Sequence, residues 1–303
     1  MSNSLPAAPT PPPPSPTFMK CENKAISMAV INKKPFLEEC LWALEYPELQ
    51  KACFLARICA DRPPVKCEFY NIASILQVGP TCGLTALSML LGGIPPADQL
   101  LQEAQQKHFT NNGEMFSANN LYELICDNIP MINNNNNNDN NNFSQPNTIN
   151  ANGTEAKNPQ KNKTTKHNNV IECQMHQGRL NCAKVRESLQ QGACIFVPYD
   201  PDFNHSPCLK LGHKAHWSLI IGFLITDKNE FFVLARHGKA KNLAVWSLQS
   251  LSDSNSNLLE FAQPKGYPDC DFLLPPGGIG GDLGLRERAI IVKGLPHEII
   301  SIS

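Results

Sequence analysis

No apolar run in this sequence approaches the roughly 20 residues that would span a bilayer. The nearest, Leu219 to Ile225, reads as a buried strand. No basic region followed by an apolar core stands near the first residue, so no secretory signal is expected and the cytosol is the expected compartment. A surplus of charge is missing too. With 26 Lys and Arg against 27 Asp and Glu the formal net charge is -1, which argues for neither nucleic acid nor a membrane surface as partner. Recognition by charge must therefore be local. Tight metal-binding pairs are also wanting: Cys53, Cys59 and Cys67 lack Cys-x-x-Cys spacing, and no metal is expected. The twelve cysteines are scattered through helix-like and strand-like segments, and most read as reduced, buried, small apolar residues. Gly277 to Gly284 is glycine-rich, yet no GK[ST] or helix start follows, so it reads as a plain loop.

What is present divides unevenly. Residues 1–19 carry Pro9, Pro11 to Pro14 and Pro16, which favour an extended polyproline II tail, either simply solvated or a ligand for a proline-binding domain. From about 128 to 169 the chain turns to asparagine, with little to bury, and is expected to be a disordered insertion in a surface loop. Roughly 240 residues remain, enough for a well-buried interior, so residues 20–303 are read as one domain interrupted at 128–169. Helix spacing is visible at Phe36, Leu37, Cys40, Leu41 and Leu44, again through Leu49, Cys53, Leu55 and Ile58, and at Leu84, Leu87, Leu90 and Leu91. Further helices are expected at 98–108, at 117–127 with Ser117 as N-cap, and at 181–190. Strands follow at 194–199, 216–226, 231–235, 243–248 and 288–292. Helices first and an antiparallel sheet later is an α+β signature.

A thiol becomes a useful nucleophile where a helix dipole and a nearby imidazole favour its thiolate. Cys82 stands at the start of a leucine-rich helix, Gln77 upstream could join the Cys82 amide in stabilising an oxyanion, and Gly83 leaves room for substrate to approach. The base should be a histidine far off in sequence on a rigid element. Among eight histidines His216 fits best, opening the most apolar strand directly before Trp217, with the indole expected to shield its ring; His213 is the reserve. A cysteine before a leucine-rich helix, or a histidine at a strand start, is ordinary by itself. Their combination is far more specific.

Cys82-Gly83-Leu84 together with His216-Trp217 resembles the papain-like cysteine peptidases. The wider set QVGPTCGLTAL from Gln77, GEMFS from Gly113, PYDPDFNHSPC from Pro198, GHKAHW from Gly212 and PPGGIGG from Pro275 is similar to the actin maturation protease family. That resemblance implies a cysteine aminopeptidase that removes an N-acetylated first Met or Cys from actin, without metal or organic cofactor. It assigns Cys82 as nucleophile, His216 as base and Gln77 as oxyanion donor, and makes profilin carrying actin a partner for Pro11 to Pro14. No Asp or Asn stands where a third triad member would follow the histidine strand, which leaves His237 or Asn242 to orient His216. Met115 and Phe116 are candidates to line a closed pocket, and Lys210, Lys214, Arg236, Lys239 and Lys241 to form a basic rim for an acidic leaving segment. A different cysteine hydrolase, deubiquitinase-like or transglutaminase-like, and a non-catalytic actin- or profilin-binding adaptor are the rival readings.

Overall fold

A computed structural model describes residues 40–58, 63–129 and 171–302. The proline-rich segment and the asparagine-rich stretch from 130 lie outside the described residues, as does the N-terminal part of the helix expected from Phe36. Of that helix only a 3-10 turn, Leu41–Ala43, is described. Among the described residues six α-helices follow: α1 Pro47–Leu55, α2 Cys82–Leu90, α3 Ala97–Gln106, α4 Ala118–Asn128, α5 Ala183–Gln190 and α6 Leu248–Ser256. Nine described strands accompany them: β1 Lys66–Tyr70, β2 Glu172–Gln177, β3 Cys194–Pro201, β4 Pro207–Cys208, β5 His216–Ile225, β6 Phe231–Arg236, β7 Ala244–Ser247, β8 Arg288–Lys293 and β9 Ile299–Ile302. The fold is α+β, and every described strand pairing is antiparallel.

The spine of the sheet is β5, flanked in the order β2-β8-β3-β5-β1-β9, with β6 and β7 extending from β5 and β4 pairing β3. Because β6 runs along β5 from Leu219 to Ile225, β3 and β1 must share its other edge in succession. Both faces are covered. Along β3, Cys194 and Phe196 pack with α1 to α4, while Ile195, Val197 and Tyr199 pack with α5 and α6. This is the period of two expected of a strand, and two covered faces explain why β3 and β5 read as nearly unbroken apolar runs. In β5 the parity changes: Trp217, Leu219 and Ile221 belong to the first core, but past the bulge between Ile220 and Gly222 it is Leu224 that does. The bulge adds a residue and so turns the following side chains over. Gly222 itself faces Phe69, and a Cβ there would sit 2.2 Å from the Glu68 carbonyl oxygen.

Helix α2 is buried on all sides, as its composition demands. Leu84, Leu87 and Leu90 are fully enclosed, each contributing roughly 1.5–3 kcal/mol of transfer free energy. This anchors the helix start against β5. Nine described cysteines are free thiols and Cys40 is disulfide-bonded. No described helix is long and apolar enough to cross a membrane.

Candidate active site

The first residue of α2 and the first of β5 meet at one cavity of about 860 Å³, which both Cys82 and His216 line. The Trp217 main-chain amide donates to the Cys82 sulfur at 3.4 Å, fixing the strand start against the helix start. Burial pushes the Cys82 thiol above its ordinary value, and the amides of Trp217, Gly83 and Cys82, together with the Lys239 charge, oppose that rise. The sulfur thus sits where the helix N-terminus offers N-H groups to a developing anion.

His216 is buried, and its Nε2 lies 2.5 Å from the His237 main-chain oxygen. A carbonyl can only accept, so Nε2 carries the proton and Nδ1 keeps its lone pair. Burial draws the imidazole well below its usual value and the Lys239 charge lowers it further, while the bond to His237 works the other way. The Tyr199 ring meets the His216 ring edge-on at 5.8 Å. Trp217 does not shield it, contrary to expectation, because alternation sends the indole to the other face, where its Nε1 donates to the Met115 carbonyl at 2.7 Å.

The orienting contact on His216 comes from the backbone of His237, whose own ring instead accepts from the Lys239 amide at Nδ1 and lies against His205. Asn242 takes no part: its side chain is exposed and accepts from Lys51. Gln77 lines the cavity, with Nε2 donating to the Gly79 carbonyl at 2.9 Å and Oε1 buried without a partner among the described residues. Gly83 offers no room to substrate, since Met115 and Trp217 already stand 3.2 Å from where its Cβ would be; the glycine permits close packing of helix on strand.

Met115, Phe116, Lys210, Lys214 and Lys239 all line the cavity. Arg236 does not. Its buried guanidinium ties Glu48 of α1 to the carbonyls of Ile72 and Lys241, a structural clamp. Lys241 is exposed and outside the cavity lining as well. Lys265 lines the cavity in their stead, from an irregular segment that periodicity could not flag. The 210–214 loop is shaped by the buried Asp200 carboxylate, which accepts from the amides of Lys210, Gly212 and Lys214 at 3.1, 2.7 and 3.0 Å. His213 pairs with Glu260 at 2.7 Å. Among the described residues no cluster of three or more metal-ligating side chains occurs.

Residues 72–153 and 159–224 match the family model described as "Actin maturation protease-like, C-terminal domain". A Drosophila melanogaster protein named actin maturation protease is 52% identical over 88% of this chain and 85% of its own length. The chain belongs to the actin maturation protease family. Proteins of the same name from Danio rerio and Homo sapiens are 28% and 24% identical, over 69% and 77% of this chain and 68% and 64% of their own lengths. No solved structure matches. The family model spans Gln77, Cys82, Met115, Phe116, Lys214 and His216, whereas His237, Lys239 and the segment around Lys265 lie beyond it. Like the proteases it resembles, this family member is a peptidase.

Proposed function

We propose that this family member is a papain-like cysteine aminopeptidase that removes the N-acetylated first Met or Cys from immature actin and leaves the acidic mature N-terminus. The observation that carries it is the Trp217 amide on the Cys82 sulfur, with His216 in the same cavity and its Nδ1 unprotonated. His216 Nδ1 takes the thiol proton as sulfur attacks the carbonyl carbon of the acetylated residue. The carbonyl oxygen becomes an oxyanion, met by the Cys82 amide and by the second N-H of Gln77. As the C-N bond breaks, the imidazolium returns its proton to the departing actin amine. Water, deprotonated by His216, then hydrolyses the thioester.

A cavity of about 860 Å³ has room for a short blocked N-terminus. Lys210, Lys214, Lys239 and Lys265 line it with Glu114 as the only carboxylate among the described lining residues, and that carboxylate is taken up by backbone amides. Such a surplus of positive charge suits the acidic segment that leaves. The work belongs to the cytosol, and Pro11 to Pro14 serve to dock profilin carrying actin. Incubation with acetyl-Met and acetyl-Cys peptides of the actin N-terminus should release the acetylated residue alone, detected by mass spectrometry, and Cys82→Ala should release none. Internal cleavage, or an active Cys82→Ala protein, would contradict the reading.

A further inference from the structure

We infer that the first side chain of the substrate is read by an aromatic wall of Phe116, Phe261 and Phe272, and that this wall stops the enzyme from trimming the acidic residue it exposes. The inference rests on the peptidase reading of Cys82 and His216. Three rings meet edge-to-face: Phe116 lies 5.2 Å from Phe261 and 6.0 Å from Phe272, and those two lie 6.0 Å apart. All three line the cavity that holds Cys82, and all are only partly buried, so each keeps surface free for a ligand.

The segment that supplies two of these rings has no helix or strand, so its position must come from elsewhere. Glu114, 2% exposed, accepts from the amides of Asn111, Asn112 and Leu273 at 3.1, 2.8 and 2.9 Å. The side chains of Asn111 and Asn112 both donate to the Asp271 carbonyl, and Gln263 Nε2 donates to the carbonyls of Tyr267 and Cys270. The turn that carries Glu114 continues into Met115, whose carbonyl accepts from the Trp217 indole, and the Trp217 amide in turn sits on the Cys82 sulfur. One chain of hydrogen bonds therefore sets the wall at a fixed distance from the reacting atom. Aromatic faces and edges favour a thioether or thiol, the chemistry shared by Met and Cys. A carboxylate pressed against these three rings would lose its hydration, since a phenyl ring offers no donor; Tyr267, which lines the same cavity, meets Phe272 edge-on at 6.3 Å.

The test compares kcat/KM on acetyl-X peptides, with X as Met, Cys, Ala or Asp, for the full chain and for Phe261→Ala, Phe272→Ala and Phe261→Leu. Loss of a ring should lower the rate for Met about 10-fold or more, as expected for part of an apolar specificity pocket, while the Ala peptide changes little and the Met to Ala ratio collapses. Discrimination against Asp should weaken in the same variants. Cys82 alkylation by iodoacetamide should proceed at the wild-type rate, which separates a wall effect from a collapsed site. If an alanine variant fails to fold, Phe261→Leu still has to shift the Met to Ala ratio. Equal losses for every X, or an unchanged ratio, overturn the inference, whereas activity in Cys82→Ala overturns the peptidase reading instead.

Discussion

At the scale of the residue, the pair at the site rests uncharged. Burial raises Cys82 and lowers His216, so at neutral pH the pair stands as thiol and imidazole, not as an ion pair. The competent form then spans a wide range: the acid limb of kcat/KM should fall below the ordinary imidazole value of 6.5 and the alkaline limb above the ordinary thiol value of 9.0. Lys239 lowers both groups through its charge, so Lys239→Met should move both limbs upward together. A pH profile of kcat/KM measures this; an acid limb at or above 6.5 in the wild type, or limbs that move in opposite directions, would contradict it. That Cys82 and His216 meet at one cavity was legible because the chemistry expected of such a pair dictates their residue types. The His237 carbonyl was not, since every residue carries one and only the folded turn aims it.

At the scale of the element, two features hold the site in place. Gly222→Ala puts a methyl against backbone at 2.2 Å, where β1 crosses the bulge of β5, and should cost about 1–3 kcal/mol or more, read as a lower urea midpoint. Asp200→Ala strands three loop amides. A loss of about 1–3 kcal/mol is expected, with KM for acidic peptides rising as Lys210 and Lys214 lose their placement; an unchanged KM would show that the loop does not meet substrate. Periodicity made α2, β3, β5 and β6 visible, since each buries an apolar face of its own. It did not reveal β1, β2 or β9: β1 and β2 set charged and polar residues among few apolar ones, and β9 is four residues with none fully buried. The expected strand to Leu248 ends at Ser247, whose hydroxyl caps α6 at Ser250. The sequence pattern assigns no helix to that serine-rich segment. The wall segment 261–273 has no period to read, being held by side chains of residues 111–114 far away in sequence.

At the scale of the whole molecule, a formal charge of -1 conceals four lysines facing one cavity. KM for acidic peptides should therefore rise several-fold with ionic strength, and Lys214→Glu should raise it at low salt; a KM indifferent to salt would remove the electrostatic part of the account. Stability should also depend on pH. His176, His205, His216 and His237 are all held below their ordinary values, chiefly by burial, His237 at about 4. The unfolded chain then binds more protons than the folded one, so stability is present above pH 6.5 and lost as pH falls through the window beneath it. Tm measured from pH 7.5 down to pH 5 should fall, and a Tm that rises would place these imidazoles in charged surroundings instead.

The most direct measurement is the site of covalent capture. An acetyl-methionyl chloromethyl ketone, offered to the intact protein and followed by peptide mass mapping, should alkylate Cys82 alone, with chloride lost. Capture should vanish in Cys82→Ala and slow markedly in His216→Ala. An adduct on another of the free thiols, or an unmodified Cys82 in protein that the reagent has inactivated, would contradict the assignment of the nucleophile.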